Sequence, residues 1–289
     1  MVRAIAGLVG AAFVFVLALA LFGTVRDRIK TPPVESAAEW VQHRTEEETG
    51  SHLLNAGLKS AGVFGSFDRQ QLQRGFQVYK EVCSACHSIR LVSFRNLSDL
   101  GYRPAEVKAI ANQWAIEQPS PNADTGEAAT RKNLPSDHFP LVFANDIAAR
   151  AANNNAVPPD LSDITKARHG GADYVYSLVG HGYVAQPAVL LKDFPDIKTP
   201  KGLYYNQYFA NLNIAMPPPL KSEGQVQYND GTRATVPQMA KDVAAFLTWT
   251  AEPRLENRHA AGLAAVIFIA IFCFLAWGAY QNVWRDIKH

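Results

Sequence analysis

Two cysteines and a histidine stand together in Cys83-Ser84-Ala85-Cys86-His87, the densest chemistry in the chain. In the Cys-x-x-Cys-His order each thiol can add to one vinyl group of a haem, and the adjacent histidine then lies under the iron as an axial ligand. Zinc is a rival, but it normally takes four ligands, and the only other cysteine, Cys273, falls in a long apolar run. A redox dithiol would favour a strand-to-helix context, whereas a helical pattern leads into this motif. A plain structural disulfide leaves His87 unexplained. The motif occurs once, so the expectation is one haem c, covalently bound through Cys83 and Cys86, with His87 on the iron.

The iron's other axial position separates electron transfer from ligand chemistry, because a methionine sulfur opposite histidine closes the site and raises the potential. Of the three methionines, Met1 is the initiator and Met239 sits on the apolar face of a helical pattern. Met216 lies in Ile214-Ala215-Met216-Pro217-Pro218-Pro219-Leu220, where consecutive prolines stiffen the chain without regular hydrogen bonds. Spacing alone favours Met216 and leaves His138, His169 and His181 as alternatives.

The elements that must position these groups read as helices. Asp68 with Gln71 forms a capping-box pair, and Leu72, Phe76, Tyr79 and Cys83 share one helical face, so a helix delivers Cys83 to its place. A second helix is expected from Pro104 to about Ile116, with Val107, Ile110, Ala111 and Trp114 inward. Further helices are expected over Phe143 to Ala152 and Ala172 to Val179. A last one is started by Thr235, with Pro237 in its first turn and Gln238 three residues on, and buries Val236, Met239, Ala240, Val243, Phe246 and Leu247. Gln118 to His138 and Gln186 to Pro219 read as loops, and Asp230-Gly231 as a small hairpin turn. Thr31-Pro32-Pro33 and Glu46-Glu47-Glu48 read as linker. No alternating pattern supports a large sheet.

Two segments carry membrane signals. No charged residue occurs from Ala260 to Asn282, enough for the ~20 residues of a spanning helix. Trp277, Tyr280 and Trp284 cluster at its C-terminal end, and Arg285 and Lys288 place the tail on the cytoplasmic side. The apolar run from Ala4 to Phe22 reads either as a cleaved signal peptide or as a retained anchor, and both export the stretch from Thr31 to Asn257. The formal net charge of +2 is unevenly spread: between Thr31 and Asn257 there are 21 Lys and Arg against 24 Asp and Glu, a net of −3. No basic block occurs there, so a nucleic-acid partner is not expected.

Several ordered runs together are more specific than the haem motif. They are Gln73-Arg74-Gly75-Phe76-Gln77-Val78-Tyr79, Arg150-Ala151-Ala152-Asn153-Asn154, Pro158-Pro159-Asp160-Leu161-Ser162, Arg168-His169-Gly170-Gly171, Ala215-Met216-Pro217-Pro218 and Asp230-Gly231-Thr232, followed by Ala240 to Pro253 and one apolar helix. In this the chain resembles the cytochrome c1 family, the haem subunits of the ubiquinol-cytochrome c oxidoreductase (cytochrome bc complex, complex III), over about Phe64 to Lys288. The resemblance implies a mainly α, class I cytochrome c-like haem domain with long loops, plus a C-terminal transmembrane helix. With the hydropathy and composition above, the expected division is an apolar signal or anchor over 1–30, a linker over 31–63, the haem domain over 64–257, the membrane helix over 260–282 and a cytoplasmic tail over 283–289.

By the same resemblance Met216 matches the sixth ligand, Arg168 and Tyr174 match positions near the haem propionates, and Asn153 joins them. Pro159 matches a residue beside the proximal histidine, whose ring N–H would donate to a backbone carbonyl. The implied partners are cytochrome b, a Rieske iron–sulfur protein as donor, and a soluble cytochrome c or an equivalent acceptor. The implied location is the bacterial inner membrane, with the haem domain on the periplasmic side. Some bacterial members carry an extra cysteine pair that this chain lacks, which leaves the bracing of the Met216 loop open. Two other functions compete: a haem enzyme or gas sensor, which would keep an open iron position, and a free-standing anchored cytochrome.

Overall fold

The computed structural model describes residues 2–30, 34–122 and 124–286. Thr31, Pro32 and Pro33 of the expected linker, and Lys288 of the expected tail, lie outside the described residues. Ten α-helices appear in chain order among the described residues: α1 (Val2–Lys30), α2 (Ala37–Thr49), α3 (Arg69–Glu81), α4 (Pro104–Gln113), α5 (Asp146–Ala152), α6 (Ile164–Ala167), α7 (Gly171–Gly180), α8 (Ala188–Asp193), α9 (Val236–Ala251) and α10 (Leu255–Trp284). Two antiparallel strand pairs accompany them: β1 (Gln118–Pro121) with β2 (Ala128–Arg131), and β3 (Tyr204–Tyr205) with β4 (Asn213–Ile214). The domain is mainly helical, as its patterning requires.

The core forms where α3 crosses α9. Leu72, Phe76, Val78 and Tyr79 of α3 meet Met239, Val243, Phe246, Leu247 and Trp249 of α9, and all are buried. Gly75 permits the close crossing, since a Cβ there would run into the Asp242 carbonyl and Phe246 Cβ. Phe94, Trp114 and Phe139 extend this core, with ring centroids 4.1 Å apart for Phe94–Phe139 and 4.9 Å for Trp114–Phe139. Each such side chain contributes about 1.5–3 kcal/mol by burial. Met239 is fully buried here, a core residue as its position on the apolar face of α9 predicts.

A buried carboxylate ties the crossing together. Asp242 accepts hydrogen bonds from Gln71 Nε2 at 3.1 Å, Arg74 Nε at 3.0 Å and Gln238 Nε2 at 2.8 Å, while Arg74 also reaches Asp230 at 2.6 Å. Asp68 and Thr235 do cap α3 and α9 by accepting from the backbone N–H of Gln71 and Gln238. The two glutamine side chains do not return to those caps, because a buried carboxylate is the stronger acceptor.

The structure departs from the expected loops in four places. The acidic run Glu46-Glu47-Glu48 is the last turns of α2, not linker: Ser36 and Glu39 form a reciprocal capping box, Gly50 at φ +78° ends the helix, and Val41 packs with Leu190, Tyr205 and Leu212. Residues 118–138 contain the β1–β2 hairpin. Residues 186–219 contain α8 and the β3–β4 pair. Asp230-Gly231 makes no hairpin; Asp230 Oδ1 instead accepts from the Thr232 N–H at 3.0 Å. Helices α4 and α5 are shorter than expected, α4 ending where the Trp114 backbone turns extended and α5 beginning at the Asn145 cap.

Two helices, α1 and α10, are long and apolar enough to cross a membrane, and the apolar window of neither is buried against the domain. The first turns of α10 are fixed to the domain by Glu256, which accepts from the Phe67 N–H at 2.7 Å and from Arg69 at 3.1 Å.

Candidate haem site

Helix α3 ends at Glu81, and a tight 3-10 turn over Cys83–Ala85 follows, so both thiols and the imidazole are presented within one short bend. The His87 N–H closes that bend on the Cys83 carbonyl at 2.9 Å. The Tyr79 hydroxyl donates to the His87 carbonyl at 2.9 Å, locking the turn to the core helix. Neither Cys83 nor Cys86 is paired in a disulfide.

The orientation of His87 comes from a distant segment. Its Nδ1 lies 2.8 Å from the Pro159 carbonyl oxygen, and a carbonyl can only accept, so the proton resides on Nδ1 and Nε2 keeps its lone pair. Burial lowers the pKa of the ring, opposed in part by the Pro159 hydrogen bond and the charge of Asp160. The same segment clamps the residues after His87. Asp160 Oδ2 accepts from the Arg90 N–H at 2.9 Å, the Leu161 N–H donates to the Ser88 carbonyl at 2.8 Å, and Ser162 Oγ accepts from the Leu91 N–H at 3.1 Å. Sequence reasoning assigns no role to Asp160 or Ser162; the signal is a polar pair inside the Pro158–Ser162 run.

Met216 follows β4. Its carbonyl accepts the Tyr183 hydroxyl at 3.0 Å. Asn206, fully buried after β3, donates to the Leu178 carbonyl at 3.0 Å and accepts from the Tyr208 N–H at 3.1 Å, while the Gln207 N–H donates to Gly182. Beyond the prolines, Gln225 donates to the Pro219 carbonyl at 2.9 Å. The loop is therefore braced by hydrogen bonds from the end of α7 and by a short strand pair.

The other expected residues divide. Arg168 and Tyr174 come together: burial raises the Tyr174 phenol and the adjacent Arg168 guanidinium opposes the rise. Arg168 is exposed, with Nη1 donating to the Ala167 carbonyl at 3.1 Å. Asn153 directs its amide to the Ala149 carbonyl at 2.8 Å, closing the end of α5 rather than reaching toward Arg168. His138 and His169 are exposed. His181 is half-buried with no hydrogen-bond partner for Nε2 among the described residues, its ring 4.9 Å from that of Tyr176.

The sequence model of the Cytochrome C1 family matches residues 58–287. The chain is also 44% identical over 251 residues to cytochrome c1 of Rhodospirillum rubrum, an alignment covering 84% of this chain and 91% of that protein. The chain belongs to the cytochrome c1 family. Identity to the mitochondrial heme protein cytochrome c1-2 of Solanum tuberosum is 45% over 244 residues, 84% of this chain and 89% of the relative. Identity to the mitochondrial cytochrome b-c1 complex catalytic subunit of Candida albicans is 40% over 245 residues, 85% and 82%. As a cytochrome c1 this chain is a class I cytochrome c-like protein that carries one covalently bound haem c. The residues fit that group: two cysteine sulfurs in one bend with no disulfide between them, and an imidazole whose Nδ1 proton is already engaged, leaving Nε2 for the iron.

Proposed function

We propose that this chain is the haem-bearing electron-transfer subunit of a cytochrome b-c1 complex, taking an electron from a Rieske iron–sulfur protein and passing it to a soluble cytochrome c or an equivalent carrier. The haem, when bound, supplies a one-electron couple. The chain's own residues would hold and orient it: Cys83 and Cys86 would attach the group through their sulfurs, and His87 and Met216 would supply the nitrogen and sulfur that hold its iron. Pro159 keeps the His87 ring from turning, and Tyr183 restrains the Met216 backbone. Arg168 and Tyr174, side by side, suit a propionate, since a guanidinium matches a carboxylate fork and a phenol can add a second donor. Asn153 joins them only if its amide leaves Ala149.

The observation that carries the reading is the His87–Pro159 hydrogen bond within a chain of this family, because it presets a neutral imidazole for a metal. The membrane anchor α10 supports it, as do the names of relatives assigned to a b-c1 complex. The haem domain would face the periplasm of a bacterium and the tail beyond Trp284 the cytoplasm, with cytochrome b as the neighbour in the bilayer.

The test is purification of the tagged chain from detergent-solubilised membranes. Cytochrome b and a Rieske protein should come with it, and the reduced-minus-oxidised spectrum should not respond to carbon monoxide. Isolation without either partner, or a carbon monoxide-sensitive haem, would defeat the proposal. Reporter fusions at His289 should be active on the cytoplasmic side only.

A further inference from the structure

A pair of exposed apolar side chains lies outside the haem site and outside both long apolar helices. Val63 and Phe64 are adjacent, 76% and 80% exposed, and flanked by glycines. The Gly65 N–H donates to the Gly62 carbonyl at 3.2 Å, and Gly62 adopts φ +81°, so the two apolar side chains form the tip of a tight turn. Turn tips normally carry polar residues, yet no charged residue occurs from Ser60 to Phe67. A second constraint keeps the turn closed: a Cβ on Gly65 would strike the Ser60 carbonyl.

The place of this turn decides what it meets. His259 Nδ1 lies 3.1 Å from the Gly65 carbonyl oxygen. Two residues further along, the Phe67 N–H reaches Glu256 at 2.7 Å. His259 is the last ionisable side chain before the uncharged stretch that begins at Ala260, so the turn stands level with the point where α10 leaves the polar domain for hydrocarbon. The cations and acids nearby are already engaged with one another, Arg69 with Glu256 at 3.1 Å and Lys59 with Asp68 at 2.8 Å.

We propose that the Gly62-Val63-Phe64-Gly65 turn is a second membrane contact, with Val63 and Phe64 seated in the interfacial region of the bilayer beside the entry point of α10. An aromatic ring favours that zone, and a shallow apolar tip beside a spanning helix is carried there without any further ordering cost. The bilayer is the occupant because the turn abuts the first turns of α10 at His259 and Glu256, where its uncharged stretch begins, and is only two residues wide, too small for a stable protein interface. A consequence is orientation. With α10 and this turn both at the surface, the haem domain has two points of support and cannot pivot freely about a single helix.

The experiment uses the full holoprotein in its membrane complex, reconstituted into lipid nanodiscs. Spin labels are placed at Phe64→Cys and, separately, Val63→Cys, in a Cys273→Ser background, and the haem spectrum confirms folding. Collision rates with oxygen, which partitions into lipid, and with a nickel chelate, which stays in water, are compared with labels at Phe268→Cys in α10 and Ala129→Cys on the exposed β2 strand. The expected result is a severalfold higher oxygen-to-nickel ratio at Phe64 and Val63 than at Ala129. A ratio equal to that at Ala129 would overturn the contact. Shielding from both reagents would also overturn it, since that marks burial under a protein partner. A Phe268 label that reads as aqueous would overturn the spanning assignment of α10 and the contact together.

Discussion

The Tyr183 hydroxyl donates to the backbone carbonyl of Met216 across 3.0 Å, tying the end of α7 to the loop that would present a sulfur to the iron. Burial raises the Tyr183 phenol well above its ordinary range, so the group stays a donor at any physiological pH. Tyr183→Phe removes this bond together with the hydroxyl's interaction with the Asn206 side chain. The expected loss of stability is about 1 kcal/mol by chemical denaturation. The loosened loop should also let a minor fraction of reduced haem bind carbon monoxide. Lost stability with no carbon monoxide-reactive fraction would show that β3–β4 alone holds the loop.

The Tyr183 brace is not legible in the sequence, whereas the helices on either side of the haem motif are. Helix α3 announces itself by Leu72, Phe76 and Tyr79 on one face, and α9 by Thr235 and Pro237 at its start, because periodicity and capping are local properties. Gln71 and Gln238 read as local caps, but their side chains answer to Asp242, a partner that only tertiary packing brings near. The same limit hides Asp160 and Ser162, whose targets lie some 70 residues upstream in sequence. Helix α2 is within reach of sequence reasoning: Ser36 and Glu39 carry the capping-box spacing, and Gly50 follows the last turn. The prolines before it and the three glutamates at its end point instead to a linker.

Met216→Leu is the direct test of the second axial ligand. With the sulfur gone, the preference for reduced iron is lost and the midpoint potential should fall. Reduced haem should then bind carbon monoxide in full. His181→Phe is the companion variant, because His181 has a buried Nε2 without a partner. It should leave both potential and carbon monoxide response unchanged. The reverse pattern would assign the ligand to His181.

The Arg74–Asp242 pair predicts a large stability effect. Asp242 is fully buried and the Arg74 side chain is 15% exposed, so Asp242→Asn leaves a buried guanidinium with only Asp230 for charge balance. Loss of about 3 kcal/mol is expected, against less than about 1 kcal/mol for Asp230→Asn at the exposed end. Asp230 also gives a pH dependence. The Thr232 N–H first, and Arg74 with it, hold its folded pKa below the ordinary carboxylate value of 3.8. That contribution is present above the unfolded pKa and is lost as pH falls through the folded one. Asp230→Asn should therefore narrow the stability gap between pH 6 and strongly acidic solution, which urea titrations at the two pH values would show.

Docking of the electron acceptor should be steered in part by charge. The stretch from Thr31 to Asn257 carries 24 acids against 21 bases although the whole chain has a formal charge of +2, so a basic soluble cytochrome should be drawn toward that stretch. The pull acts over distances comparable to the Debye length, ~10 Å at 0.1 M salt. An excess of three charges is modest, and it should affect the encounter rate more than the strength of the final complex. The last turns of α2 expose Glu46, Glu47 and Glu48, of which Glu48 pairs with Arg44 at 3.0 Å, leaving Glu46 and Glu47 the better candidates to act at a distance. Stopped-flow reduction of the native acceptor across an ionic-strength series should show a second-order rate that falls as salt rises. Glu46→Gln with Glu47→Gln should flatten that slope if α2 faces the approaching partner, and leave it intact if the steering charges lie elsewhere on the domain. A rate that is flat with salt, or that rises from the lowest concentration, would mean that the acidic excess does not guide the partner at all.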